Sequence, residues 1–174
     1  MSLSVFYHSD FLNHDTGSGH LECPDRLLAC VDALKNSSFA NQLEWKTPRS
    51  ATENELYWIH TKQHIEHIKG VCESGGGYLD ADTPVCPKSY HIALKSAGAW
   101  LEGVDEVINN NSALVLSRPP GHHAEANRAM GFCLFSNAAL AATAALRNNE
   151  INKVCIFDWD VHHGNGTQDI IQNN

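Results

Sequence analysis

Two hydrophobic patterns alternate along this chain. Short apolar runs, VFY at 5–7, ALVL at 113–116 and VCIF at 154–157, read as strands, the last two as buried ones, because a strand covered on both faces needs no polar alternation. Between them lie stretches with apolar residues at helical spacing. The first begins at Pro24-Asp25-Arg26 and runs to about Lys35, with proline in the first turn, where its missing N–H costs nothing. A second covers about 53–72, with room for a break near Thr61, and the glycines of SGGGYLDADTP end it. A third runs from Lys88 to about Ile108, with Ile92, Leu94, Ala97, Trp100, Leu101 and Val104 as its apolar positions. Ser136 and Asn137 stand as caps for a helix over AALAATAALRN, and a last helix begins at Gly166 and continues into IIQNN. Strands alternating with helices predict an α/β fold with a parallel sheet.

In an open α/β sheet, ligands bind beyond the carboxyl ends of the strands. Two of the predicted strands end in loops loaded with chemistry: SRPPGHHAEANRAMGFC at 117–133 and DWDVHHGNG at 158–166. An extended backbone sends alternate side chains to one side, so Asp158, Asp160 and His162 are expected to converge. Two carboxylates that close repel unless a cation neutralises them, and a mixed oxygen and imidazole set suits Zn²⁺ or a similar divalent ion. The plainer alternative is a solvated loop whose acids cap the following helix. In the other loop, tandem His122-His123 follow two prolines and Gly121. Adjacent imidazoles in such a place can serve as general base and acid; alone, they read better as surface or packing histidines, and the Asp/Asp/His loop at a similar strand end reverses that reading.

Composition narrows the class. The chain has 174 residues, 43% hydrophobic and 18% charged, with a formal net charge of −8. Nucleic-acid binding is disfavoured, because phosphate contacts need clustered Lys and Arg and no such cluster occurs. The acidity suits a cationic substrate, or merely solubility. No apolar run approaches the roughly 20 residues of a membrane span, and the start (MSLSVFYHSD) has no secretory pattern. Six scattered cysteines without a C-x-x-C pair suggest reduced thiols and a cytoplasmic location. His60, His64 and His67 lie at helical spacings but lack the H-E-x-x-H order, which favours solvated or packing histidines over a metal site. Trp45, Trp58 and Trp100 read as packing residues, and Trp159 is expected to point away from its flanking acids into the other layer of the sheet.

The segments RPPGHHAE, MGFCLFSN and FDWDVHHGNGTQ together resemble the histone deacetylase family, particularly its class II-type and bacterial amidohydrolase members. The resemblance is dense from Arg118 to Gln168 and weaker through GSGHLECPDRL, YWIHTKQHIEHI and DADTPVCPKSY. It implies a three-layer arginase/deacetylase-like fold, with a mostly parallel sheet flanked by helices, hydrolysing an N-acetyl amide on zinc. Asp160 and His162 would be zinc ligands. Asp158 would pair with His122, and the backbone around Asp158, Asp160 and His162 would contribute to a monovalent-cation site for K⁺. His123 would be the catalytic base, with Asn165 orienting it. Gly131 and Phe132 would line an acyl-lysine channel with Cys133 beside it. Asp82 would hold the substrate backbone at the rim, and Arg26 would lie near an acetate-release cavity. Cys23 stands where many relatives have Arg.

The family's third metal-binding Asp and its oxyanion-binding Tyr come later than any segment written here. Residues 1–174 are therefore expected to be the N-terminal portion of a single deacetylase-like catalytic domain, truncated, with weak metal affinity, no useful activity alone and self-association through an exposed edge. Expected substrates are an acetylated lysine peptide or an acetylpolyamine. The alternatives are a relative of arginase with two Mn²⁺ ions and a non-catalytic binding module of the same fold.

Overall fold

A computed structural model describes residues 2–109 and 112–172; the last two residues of the predicted final helix lie outside that range. Three strands, β1 (Leu3–Phe6), β2 (Leu43–Lys46) and β5 (Ser112–Val115), form a parallel sheet in the order β2-β1-β5, while β3 (Gly77–Tyr78) and β4 (Pro84–Val85) form a small antiparallel pair. Val5 sits in register with Trp45 on one side and Leu114 on the other. Six α-helices are described: α1 (Pro24–Lys35), α2 (Glu53–Leu56), α3 (Lys62–Glu73), α4 (Ser89–Ile108), α5 (Asn137–Leu146) and α6 (Asn165–Ile171). The result is a mostly parallel sheet flanked by helices.

Local chemistry explains several boundaries. The break allowed near Thr61 is a full one. Thr52 and Glu55 make a reciprocal capping box that starts α2, and the Thr61 hydroxyl accepts from the His64 N–H to start α3. The Arg49 guanidinium grips Glu55 through two hydrogen bonds and holds its carboxyl at about 2, against partial burial. Helix α4 is apolar nearly all round because it is covered on two sides. One side meets a cluster of Phe6, Phe11, Leu27, Ile92 and Ala99 beneath the sheet. The other joins a larger cluster that includes Ile65, Ile68, Ala97, Leu101, Phe135 and Leu140. Full burial of each large side chain contributes roughly 1.5–3 kcal/mol.

Three expectations need correction. The segment 154–157 is not a buried strand: no described ladder includes it, and Val154 and Phe157 are exposed. An apolar run offers faces to a sheet, but it becomes a strand only with a backbone partner, and β5 is paired in the described ladders with β1 alone. Trp159 is 88% exposed, so no layer covers it. Residue Ser136 occupies the cap position of α5, yet its hydroxyl makes no capping bond. The strand at 112–115 does form, although half-buried rather than buried.

Candidate active site

The loop after β5 is fixed by a buried ion pair. Arg118 donates from Nε and Nη2 to the two carboxylate oxygens of Glu22, at 2.6 and 2.7 Å, and from Nη1 and Nη2 to the Phe11 and His14 carbonyls. A planar guanidinium satisfied on all sides can stay charged in a dry interior. His14 beside it is pushed down to about 4 by burial, so its ring is neutral.

From this anchor the chain turns into His122 and His123, whose rings lie 4.0 Å apart. The amides of Gly166 and Thr167, in the first turn of α6, have no partner within the helix and donate to the His122 carbonyl at 3.0 and 3.1 Å. A Cβ on Gly166 would lie 2.3 Å from the Ala124 carbonyl oxygen; only glycine lets α6 seat this closely. That seating brings the second loop to the first. Nδ1 of His122 meets Oδ2 of Asp158 at 2.9 Å, and Nδ1 of His123 meets Oδ1 of Asn165 at 2.7 Å. An ionised carboxylate only accepts, so Nδ1 of His122 is the donor in this contact. Partial burial works against ionisation of Asp158, but hydrogen bonds from His122 and the Asp160 N–H outweigh it and hold the carboxyl below its usual range.

Asp158, Asp160 and His162 do not converge as one triplet of free donors. Asp158 is spent on His122, whereas Oδ1 of Asp160 accepts from the His162 backbone at 2.8 Å and meets its Nδ1 at 3.1 Å. The His162 backbone hydrogen bond is the main reason the Asp160 carboxyl is held low. The pair lies beside the dyad, with the His162 and His123 rings 6.1 Å apart. Its carboxylate and imidazole donors fit zinc chemistry. Among the described residues, no group of three His, Cys, Asp or Glu side chains could hold a metal ion, so the fit covers part of a ligand set.

A cleft of about 1110 Å³ runs between these loops and is lined by every site residue the sequence singled out except Asn165, which stands behind His123. Phe132 (φ 70°) and Gly131 (φ 55°) form one wall in left-handed conformations. A Cβ on Gly131 would come within 2.4 Å of the His123 ring, so glycine is needed for the dyad to fit. The Phe132 N–H donates to Thr83 Oγ1 at 2.9 Å, which holds the Phe132 conformation, and its ring meets His20 edge-on at 4.7 Å. His20 in turn contacts the Asp82 carbonyl at 3.2 Å. Arg26 and Asp82 are both on the cleft wall. Burial pushes the Cys133 thiol up to about 12, which leaves it protonated and inert. Cys23 precedes α1 without a side-chain cap.

Some members were missed. Glu22, His14 and His20 lie in a turn-rich stretch where nothing in the local pattern marks them. Glu125 was quoted only within the motif HHAE. The reading of His60 and His64 as packing residues agrees with the structure: both are buried, and burial pushes His60 down to about 3. Its Nε2 accepts from the Ser136 N–H at 3.0 Å, and its Nδ1 donates to the Glu125 carbonyl at 3.1 Å.

Comparison with known proteins places the chain in a family. The histone deacetylase domain matches residues 20–174. The chain is 47% identical to an uncharacterised protein of Synechocystis, over 99% of this chain and 58% of that one. It is 39% identical to a histone deacetylase-like amidohydrolase of Pseudomonas aeruginosa, over 88% of this chain and 41% of that one. Its fold matches the crystal structure of the HDA15 HD domain with a TM-score of 0.94 and 35% identity, over 99% of this chain and 51% of that chain. The chain thus spans about half the length of the relatives it matches. A family match over residues 20–174 covers far more than half of the sequence, and on that ground the chain belongs to the histone deacetylase family.

Proposed function

We propose that the chain supplies the histidine-dyad side of the active site of a zinc-dependent amidohydrolase, which removes acetyl groups from acetylated lysine or acetylated polyamine. The observation that carries this reading is the pairing of both Nδ1 atoms with fixed partners, His122 with Asp158 and His123 with Asn165. Each Nε2 is then left to accept a proton. His123 would take a proton from the attacking water, and the dyad would return one to the departing amine. Asp158 and Asn165 hold ring orientation and tautomer. Gly131 and Phe132 would guide the acyl chain, Asp82 would bind substrate backbone at the rim, and Arg26 would face the departing acetate. Asp160 and His162 would hold the zinc, with a third ligand from the part of the relatives' length not covered here. Bound there, zinc would polarise the amide carbonyl and acidify water. The backbone around Asp158, Asp160 and His162 is assigned to K⁺. Six free cysteines support a reducing, cytoplasmic setting.

The two-donor pair favours a second reading for the chain taken alone, that of a binding module of this fold without turnover. One experiment separates the two. The chain is fused to the C-terminal portion of the Pseudomonas amidohydrolase and assayed for acetate release from an acetyl-lysine peptide and an N-acetylpolyamine. Zinc-dependent turnover that His123→Ala abolishes supports the hydrolase. A folded, zinc-loaded fusion without turnover supports the module.

A further inference from the structure

An asparagine beside an imidazole is ambivalent where a carboxylate is not. Asn165 can present its oxygen to His123, which puts the proton on Nδ1 and leaves Nε2 basic. It can equally present its NH₂ group, which takes the lone pair of Nδ1 and leaves Nε2 protonated and useless as a base. His122 faces no such choice, because its partner Asp158 only accepts. What stands on the far side of the Asn165 amide therefore decides the protonation pattern of the dyad.

Two groups stand there, both of them acceptors. Nδ2 of Asn165 donates to Oε1 of Glu125 at 3.1 Å and lies 3.5 Å from Sδ of Met130. Flipping the amide would set oxygen against the carboxylate of Glu125. Glu125 is itself held in place: its N–H donates to the Arg128 carbonyl at 2.9 Å, and its own carbonyl accepts from His60. The next residue, Ala126, donates its N–H to Oδ2 of Asp169 at 3.1 Å, on the same α6 that Asn165 begins. Loop and helix are thus tied together on both sides of the amide. Glu125 does not line the cleft.

We infer that Glu125 is a positioning residue that fixes the amide of Asn165, and through it keeps the proton of His123 on Nδ1. The negative charge one step removed gives a neutral amide the one-way hydrogen bonding of a carboxylate. The value of that arrangement to catalysis rests on the hydrolase reading above, but the arrangement itself does not.

The test reads the ring directly. Long-range ¹H–¹⁵N correlation spectra of the full chain, with labelled histidine, report which nitrogen of His123 carries the proton. The wild type should show Nδ1–H, and Glu125→Gln, whose amide can present either its oxygen or its NH₂ group, should loosen that preference. Glu125→Ala should give a mixture of tautomers, and Glu125→Lys, which places a donor there, should make Nε2–H the major form. In an Asn165→Asp background, Glu125→Ala should leave the His123 proton on Nδ1, since no amide remains to orient. The signals of His60 and His64 monitor the fold throughout. A wild-type ring protonated at Nε2 overturns the inference. So does a His123 spectrum unmoved by both Glu125→Ala and Glu125→Lys, or an effect of Glu125→Ala that persists in the Asn165→Asp background. Turnover enters none of these readouts, so loss of the hydrolase reading would leave this result standing.

Discussion

The two loops that make the cleft are held in opposite ways. The loop at 118–136 is set into the core: Arg118 is 3% exposed, Phe135 is 1% exposed, and His60 ties Glu125 in its middle to Ser136 at its end. The segment 154–163 lies over the surface, with Phe157, Trp159 and Val161 between 81% and 92% exposed. It is tied down through the His122–Asp158 contact and the seating of α6. Both were expected to follow buried strands; the first follows a strand that is half-buried, and the second follows no described strand. A site can therefore be half preorganised: the histidines are placed by the core, and Asp158 reaches His122 by a hydrogen bond made at the surface.

The sharpest way to break this contrast is to substitute each side. Arg118→Ala leaves Glu22 buried and unpaired, so it should cost about 3–5 kcal/mol in urea unfolding. A loss under about 1 kcal/mol would mean that the pair is not the anchor described.

Acid should act on the same core. A buried ring that stays neutral in the fold binds its proton only when the chain unfolds, so stability is complete above the unfolded value near 6.5 and falls with pH toward the folded value. For His14 that folded value is about 4 and for His60 about 3. Burial of His14 alone should remove on the order of 3 kcal/mol between pH 7 and pH 4. An unfolding midpoint constant over that range would contradict neutral burial.

The surface side should respond by association before stability. Exposed apolar residues this large mark a contact surface, so the chain should self-associate in sedimentation at high concentration, and Phe157→Ser with Trp159→Ser should shift it toward monomer. A wild type that is already monomeric would count against that role. The smallest effect belongs to Trp159→Ser on unfolding, within about 0.5 kcal/mol; a larger loss would show that 154–163 is packed after all.

How much of this was legible follows the same division. Helix α1 could be read because Pro24 marks its start, and α3 because helical spacing of apolar residues continues past the break allowed near Thr61. Strand β2 escaped: LEWK is four residues long with no β-branched residue, too short an alternation to stand out between Asn41 and Pro48. The dyad and its two partners came from resemblance to a family rather than from spacing. Alternation placed Asp160 and His162 together but could not foresee that Asp158 is taken by His122, a residue 36 positions away. Glu22 and Arg118 are 96 positions apart, and no local pattern announces a contact that only the completed fold creates. The false strand at 154–157 has the same cause, since sheet pairing belongs to the partner as much as to the run.

Zinc titration of the chain by calorimetry tests the central claim most directly, namely that the surface acids and the core histidines meet at one metal-competent corner. Weak binding near one ion per chain is predicted, reduced at least about 10-fold by Asp160→Asn or His162→Asn and unchanged by His67→Asn. Binding that survives the loss of both Asp160 and His162 would contradict the account.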